Sequence, residues 1–182
     1  MVFTRSSHNP ILFPDKNNEW ESLKVYNPGV VYSDNKYHLF YRAVGKGDDW
    51  YSSLGYAISD DGESFRRFKD PLLTASLDIE KRGLEDPRLT KIDNTYYLTY
   101  TAYDGITARL CLATSNDLKT WEKQGEMLTD WDASNAEGFT VPWDEAQKNK
   151  IAKHKWSKAG GIFPEKIQAV LHQEWHIPYS MM

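Results

Sequence analysis

Asn27-Pro28-Gly29-Val30-Val31-Tyr32-Ser33-Asp34-Asn35-Lys36-Tyr37-His38-Leu39-Phe40-Tyr41 and Asp86-Pro87-Arg88-Leu89-Thr90-Lys91-Ile92-Asp93-Asn94-Thr95-Tyr96-Tyr97-Leu98-Thr99-Tyr100 are two copies of one unit. They align without a gap at an offset of 59 residues. Pro, Asp-Asn, Tyr, Leu and Tyr coincide. Each copy reads as a strand, a tight Asp-Asn turn and a second strand, because Asp and Asn tolerate left-handed backbone angles. The second strand alternates, with Tyr37, Leu39 and Tyr41 on one face and His38, Phe40 and Arg42 on the other.

A second pair of segments repeats nearby. Ala57-Ile58-Ser59-Asp60-Asp61-Gly62-Glu63-Ser64-Phe65 matches Ala113-Thr114-Ser115-Asn116-Asp117-Leu118-Lys119-Thr120-Trp121. This adds a third strand, a Ser-x-Asp turn and an aromatic residue that opens a fourth strand. Four antiparallel strands in under about 60 residues, repeated in tandem, describe a propeller blade. A third copy starts at Phe163-Pro164-Glu165-Lys166-Ile167 but lacks the Asp-Asn turn. The expectation is therefore an all-β chain forming a single partial propeller domain over residues 1–182, with blade copies at about 27–75, 86–128 and 163–182. Thr129 to Gly161 reads as a loop with one helical turn within Asp144 to Lys153. About two and a half blades cannot close a ring, so a longer protein or two copies completing one another, a homo-oligomer, would be needed to cover the open edges.

Composition narrows the function. The net charge is −4 and the pI about 5.7, with Lys and Arg scattered among Asp and Glu, which argues against a nucleic-acid partner. The single cysteine, Cys111, lies in an apolar run and reads as a buried, inert thiol in a reducing compartment. Met1 to Pro14 does not resemble a signal peptide, and no apolar run is long enough to span a bilayer, so a cytoplasmic protein without membrane association is expected. Aromatic residues make up 14% of the chain, which suits strands and also suits sugar binding, since pyranose C–H faces stack on aromatic rings. The five His are dispersed, and neither a metal site nor a phosphate loop is legible.

An ordered set of motifs adds a family likeness. It comprises Asn27-Pro28-Gly29, Phe40-Tyr41-Arg42-Ala43, Gly83-Leu84-Glu85-Asp86-Pro87-Arg88, Tyr100-Thr101-Ala102-Tyr103-Asp104-Gly105, Ala108-Arg109-Leu110, Ala113-Thr114-Ser115 and Phe163-Pro164-Glu165-Lys166-Ile167. From about Asn27 to His172 the chain resembles glycoside hydrolase family 130, the β-mannoside phosphorylases built on a five-bladed β-propeller. The resemblance implies inverting phosphorolysis of a β-mannoside oligosaccharide to α-mannose 1-phosphate. Inorganic phosphate would be the co-substrate, with no cofactor. Some members of the family are hydrolases, and a same-fold hydrolase or an inactive carbohydrate-binding fragment are the alternatives.

The resemblance makes Asp86 the general acid and Arg109, Lys166 and His172 the phosphate cradle. In this sequence His172 is followed by Gln173 where the family usually carries Arg. Chemistry fits that division: phosphate is already an anionic nucleophile, so one acid and a set of cations suffice. Asn27, as the repeat counterpart of Asp86, and Arg42 are candidates for the mannose hydroxyls. Tyr103 and Asp104 are candidates for shaping the sugar pocket. Pro87 is expected to hold Asp86 extended, so that Glu85 and Asp86 face opposite ways.

Overall fold

The computed structural model describes residues 4–47, 50–129 and 156–162. Within them the chain is all-β. Strands β1 (Lys24–Ser33), β2 (Lys36–Val44), β3 (Ser52–Ser59) and β4 (Arg66–Arg67) form an antiparallel meander. Strands β5 (Gly83–Ile92), β6 (Thr95–Tyr103), β7 (Ala108–Ser115) and β8 (Glu122–Glu126) form a second one. These are the two blades expected from the repeat, and the sheet is open rather than closed. The third copy at 163–182 and the helical turn expected within Asp144 to Lys153 lie outside the described residues.

The turn chemistry follows the sequence. Asp34 and Asn35 take φ values of 52° and 57°, and Asp93 takes 52°, the left-handed angles that a tight hairpin needs. In the third-to-fourth-strand turn, Asp61 Oδ1 accepts the Glu63 and Ser64 amides at 2.8 Å each and the Ser59 hydroxyl at 2.8 Å. Asp117 repeats this with Lys119, Thr120 and Ser115. Backbone amides donated to the carboxylate favour its charged form, which draws Asp117 down to about 2.

The two blades pack face to face. Phe40 and Tyr56 of the first blade meet Tyr96 and Leu118 of the second, with Phe68, Leu89 and Trp121 around them. Phe40 stacks on Tyr56 at 4.8 Å and meets the edge of Trp121 at 5.8 Å. His38 is satisfied within this interface by the Tyr56 hydroxyl at 2.7 Å and the Ser33 carbonyl at 3.1 Å, and burial lowers its pKa. Both faces of β2 are thus buried, since Leu39, Tyr41 and Ala43 pack against Ile11, Leu12 and Trp20 on the other side. Cys111 is fully buried, and burial pushes its thiol up to about 12, as expected of an inert cysteine.

Two glycines permit the close approach of the blades. A Cβ on Gly29 would lie 2.6 Å from the Pro87 carbonyl oxygen, and one on Gly83 would lie 2.3 Å from that of Ser52. Gly83 also takes φ 112° and pairs in parallel with Ser52, the one rung that joins β3 to β5.

The structural repeat extends further upstream than the motif that reveals it. Short 3-10 turns at Glu19–Glu21 and Asp78–Glu80 precede the two blades. Each delivers a fully buried glutamate, Glu21 or Glu80, to a buried tyrosine and a cation. Tyr41 donates to Glu21 Oε2 at 2.8 Å beside Arg67, also at 2.8 Å. Tyr100 donates to Glu80 Oε1 at 2.8 Å, and Lys123 reaches Oε2 at 2.6 Å. Both tyrosine hydroxyls are pushed far up by burial and then by the glutamate.

Burial pushes the Glu80 carboxyl up, but Lys123, the Ser76 amide and Tyr100 outweigh it and the net direction is down. Glu80 therefore stabilises the fold fully above the unfolded carboxylate pKa of about 4.3 and loses that contribution as pH falls through its lower folded value. Glu80→Ala should cost about 3 kcal/mol in urea unfolding at pH 7, because the fully buried Tyr100 hydroxyl loses its acceptor and Lys123 its counter-charge. The difference from the parent should shrink as the pH is lowered below about 4. A neutral-pH loss within about 0.5 kcal/mol would mark the network as dispensable.

Candidate active site

The site is built from two β-bulges. In the β1–β2 ladder Tyr26 faces Arg42 and Gly29 faces Phe40, so Asn27 and Pro28 together oppose Tyr41. In the β5–β6 ladder Glu85 faces Thr101 and Arg88 faces Thr99, so Asp86 and Pro87 together oppose Tyr100. Proline has no amide hydrogen to give the ladder, and a bulge removes the need for one. Asn27 and Asp86 absorb the extra residue with φ values of 50° and 52°.

This corrects two expectations. Asp86 is not extended; the bulge overrides the preference that Pro87 imposes, and Asp accepts the left-handed region. Glu85 and Asp86 therefore do not face opposite ways but point into the same cluster. Arg42 Nη2 donates to Glu85 Oε1 at 2.8 Å, and Arg42 Nη1 lies 3.8 Å from Asp86 Oδ1. Lys158 Nζ lies 2.5 Å from Glu85 Oε2 and 3.9 Å from Asp86 Oδ2. Asn27 Nδ2 donates to Asp86 Oδ1 at 2.6 Å, so the two repeat counterparts touch. The Tyr26 ring lies 5.0 Å from the Arg42 guanidinium. Burial raises the Tyr26 hydroxyl pKa; Arg42 opposes the rise, and Glu85 and Asp86 add to it.

Arg42, Glu85 and Asp86 are each less than a tenth exposed. Two carboxylates are met by two cations, which is what buried charges require. Arg42 Nε is buried with no hydrogen-bond partner among the described residues. Beside the cluster a cleft of about 270 Å³ is lined by Arg42, Trp50, Arg82, Glu85, Tyr103 and Gly105. Trp50 is 60% exposed, and the Lys24 ammonium sits 3.6 Å from its ring centroid.

The structure thus gathers Asn27, Arg42 and Asp86 into one cluster and places Tyr103 on the wall of the same cleft. Tyr103 donates its hydroxyl to the Gly105 carbonyl at 2.9 Å, and its ring meets Trp156 edge-on at 6.1 Å. Asp104 closes the β6–β7 turn, accepting the Ile106 and Thr107 amides at 2.7 Å each. Burial pushes its carboxyl up, but the Thr107 amide and Arg109 outweigh this and lower it. Arg109 is joined to Asp104 at 2.6 Å and to Glu126 at 3.6 Å. Lys166 and His172 lie outside the described residues.

Tyr26, Trp50, Glu85 and Lys158 were not among the residues singled out from sequence. Strand alternation turns Glu85 away from Asp86, but alternation holds only where no bulge intervenes. Lys158 lies far from Asp86 in sequence, and nothing local marks it.

The comparisons with known proteins agree with this architecture. Residues 4–182 match the family model described as beta-1,4-mannooligosaccharide phosphorylase. A beta-1,2-mannobiose phosphorylase of Thermoanaerobacter is 46% identical over 133 residues, covering 65% of this chain and 44% of that protein. A 1,2-beta-oligomannan phosphorylase from the same strain is 41% identical over 182 residues, covering 94% and 53%. The chain spans about half the length of the curated relatives it matches. Among solved structures, a glycosyl hydrolase from Bacteroides ovatus is 32% identical with a TM-score of 0.63, covering 67% of this chain and 40% of that one. A structure described with the glycoside hydrolases that target beta-1,2 mannosidic linkages in Candida mannan is also 32% identical, with a TM-score of 0.64, covering 70% and 42%.

The cluster and the surface pair should respond differently to charge removal. Arg42→Met should cost about 3 kcal/mol in chemical denaturation, because it strips a cation from buried Glu85. Arg109→Met should cost at most about 1 kcal/mol, since that pair is a fifth exposed. Equal costs would contradict this division between the two pairs. With the repeat and the blades in agreement with the family match, the chain belongs to glycoside hydrolase family 130, the β-mannooligosaccharide phosphorylase family.

Proposed function

We propose that this chain carries the acid and the phosphate cradle of a β-mannoside phosphorylase site. In this reading Asp86 protonates the departing glycosidic oxygen, directly or through a sugar hydroxyl. A phosphate oxygen attacks the anomeric carbon from the opposite face, the C–O bond to the leaving sugar breaks, and α-mannose 1-phosphate forms with inversion. Asp86 regains its proton from solvent or from the next phosphate. Asn27 and Arg42 hold mannose hydroxyls, and Tyr103 and Asp104 shape the pocket. Arg109, Lys166 and His172 cradle phosphate. Phosphate is co-substrate and no cofactor is needed, and the reaction belongs in the cytoplasm.

The observation that carries the reading is the presentation of Asp86. A bulge aims its carboxyl into a buried cluster beside an open cleft, held by Asn27 at 2.6 Å and faced by Arg42. The unpartnered Arg42 Nε supplies a donor of the kind a sugar hydroxyl satisfies. One observation favours a second reading, hydrolysis: Arg109 is already paired with Asp104 and Glu126, which reduces the charge it can offer phosphate.

The test is to incubate the chain with β-mannobiose with and without phosphate and to assay mannose 1-phosphate. Phosphorolysis predicts release only with phosphate, and a fall of about 10²- to 10⁴-fold in Asp86→Asn with its unfolding midpoint preserved. Release that ignores phosphate would establish the hydrolase. Full turnover in Asp86→Asn would show that another group is the acid.

A further inference from the structure

The segment Trp156 to Ile162 runs as a strap across the face of β6 that points away from the first blade. Its grip on the second blade is extensive. The Ser157 amide donates to the Ala108 carbonyl at 2.9 Å, and the Leu110 amide donates to the Ser157 hydroxyl at 2.9 Å. The Ala159 amide donates to Thr101 Oγ1 at 3.3 Å, while Thr99 and Thr90 donate to the Gly160 and Ile162 carbonyls at 2.5 Å each. A Cβ on Gly160 would lie 2.5 Å from Leu110, so the strap lies close against the blade. From this anchored backbone Lys158 extends its ammonium to Glu85 and Asp86.

The contacts are unequal. Glu85 has one oxygen hydrogen-bonded to Arg42 at 2.8 Å, and the other, which has no hydrogen-bond partner among the described residues, is ion-paired with Lys158 at 2.5 Å, so charges from elements of both blades act on it. Asp86 stands 3.8 and 3.9 Å from the same two cations and takes its short hydrogen bond from Asn27. We infer that Lys158 is a positioning residue: it locks Glu85 as a fixed counter-anion so that Asp86 is left as the carboxyl free to engage the sugar. The inference rests on Asp86 being the acid.

The test separates this claim from the activity. In the 182-residue chain, carboxyl-labelled Glu85 and Asp86 are followed by ¹³C NMR at neutral pH. Lys158→Met should move both resonances, Lys158→Arg should largely restore them, and Lys119→Met, an exposed lysine on the β7–β8 turn, should move neither. Where turnover is measured, Lys158→Met should lower kcat about tenfold or more with KM changed less than about twofold, and Lys158→Arg should recover most of it. Unmoved resonances in Lys158→Met, or a KM effect at unchanged kcat, would overturn the assignment. Shifted resonances in a chain that shows no phosphorolysis would sink the phosphorylase reading and leave the Lys158 clamp standing.

Discussion

A proline inside a sheet cannot donate to the ladder, and here that constraint occurs twice at equivalent places. Pro28 and Pro87 each force a two-against-one bulge, which throws the preceding residue into left-handed backbone. Asn27 and Asp86 are the residues so displaced. The bulge reverses the side to which each would point on a regular strand, and because the innermost strands of the two blades lie side by side, the displaced side chains meet. The site follows from this arrangement: Asn27 on Asp86, Arg42 from the neighbouring strand, and Glu85 turned inward beside it.

Charge then governs what can occupy that space. Glu85, Asp86 and Arg42 are too buried to be left unpaired, and their mutual contacts together with Lys158 bring the cluster to balance. The same rule operates in the scaffold. Glu21 with Tyr41 and Arg67, and Glu80 with Tyr100 and Lys123, pin each blade's lead-in turn to its second strand. Each blade therefore carries one buried acid that pins its lead-in turn and one bulge that feeds the shared cluster.

Much of this was legible in the residues. The Asp-Asn and Ser-x-Asp turns act through local backbone bonds, so the repeated motifs translated directly into two meanders. Asp86, Asn27 and Arg42 sit in or beside the repeat, which is why their meeting in one cluster could be anticipated, while a role for Asp86 comes only from the resemblance. The orientation of Glu85 was not, since strand alternation fails at a bulge and Asp-Pro was read as extended. Lys158 was invisible because its partners are distant in sequence and its strap has no periodic pattern. Arg109 comes from the family resemblance, which does not reveal that Asp104 and Glu126 already claim it. The Glu21 and Glu80 anchors were present at the repeat interval, yet they lie upstream of the motif that drew attention.

The most direct measurement is a crystal structure of the chain soaked with β-mannobiose. The account predicts the glycosidic oxygen, or the hydroxyl that relays its proton, within hydrogen-bonding reach of Asp86, with a mannose hydroxyl on Arg42. A disaccharide bound with neither Asp86 nor Arg42 in contact would contradict the assignment of this cluster as the sugar site.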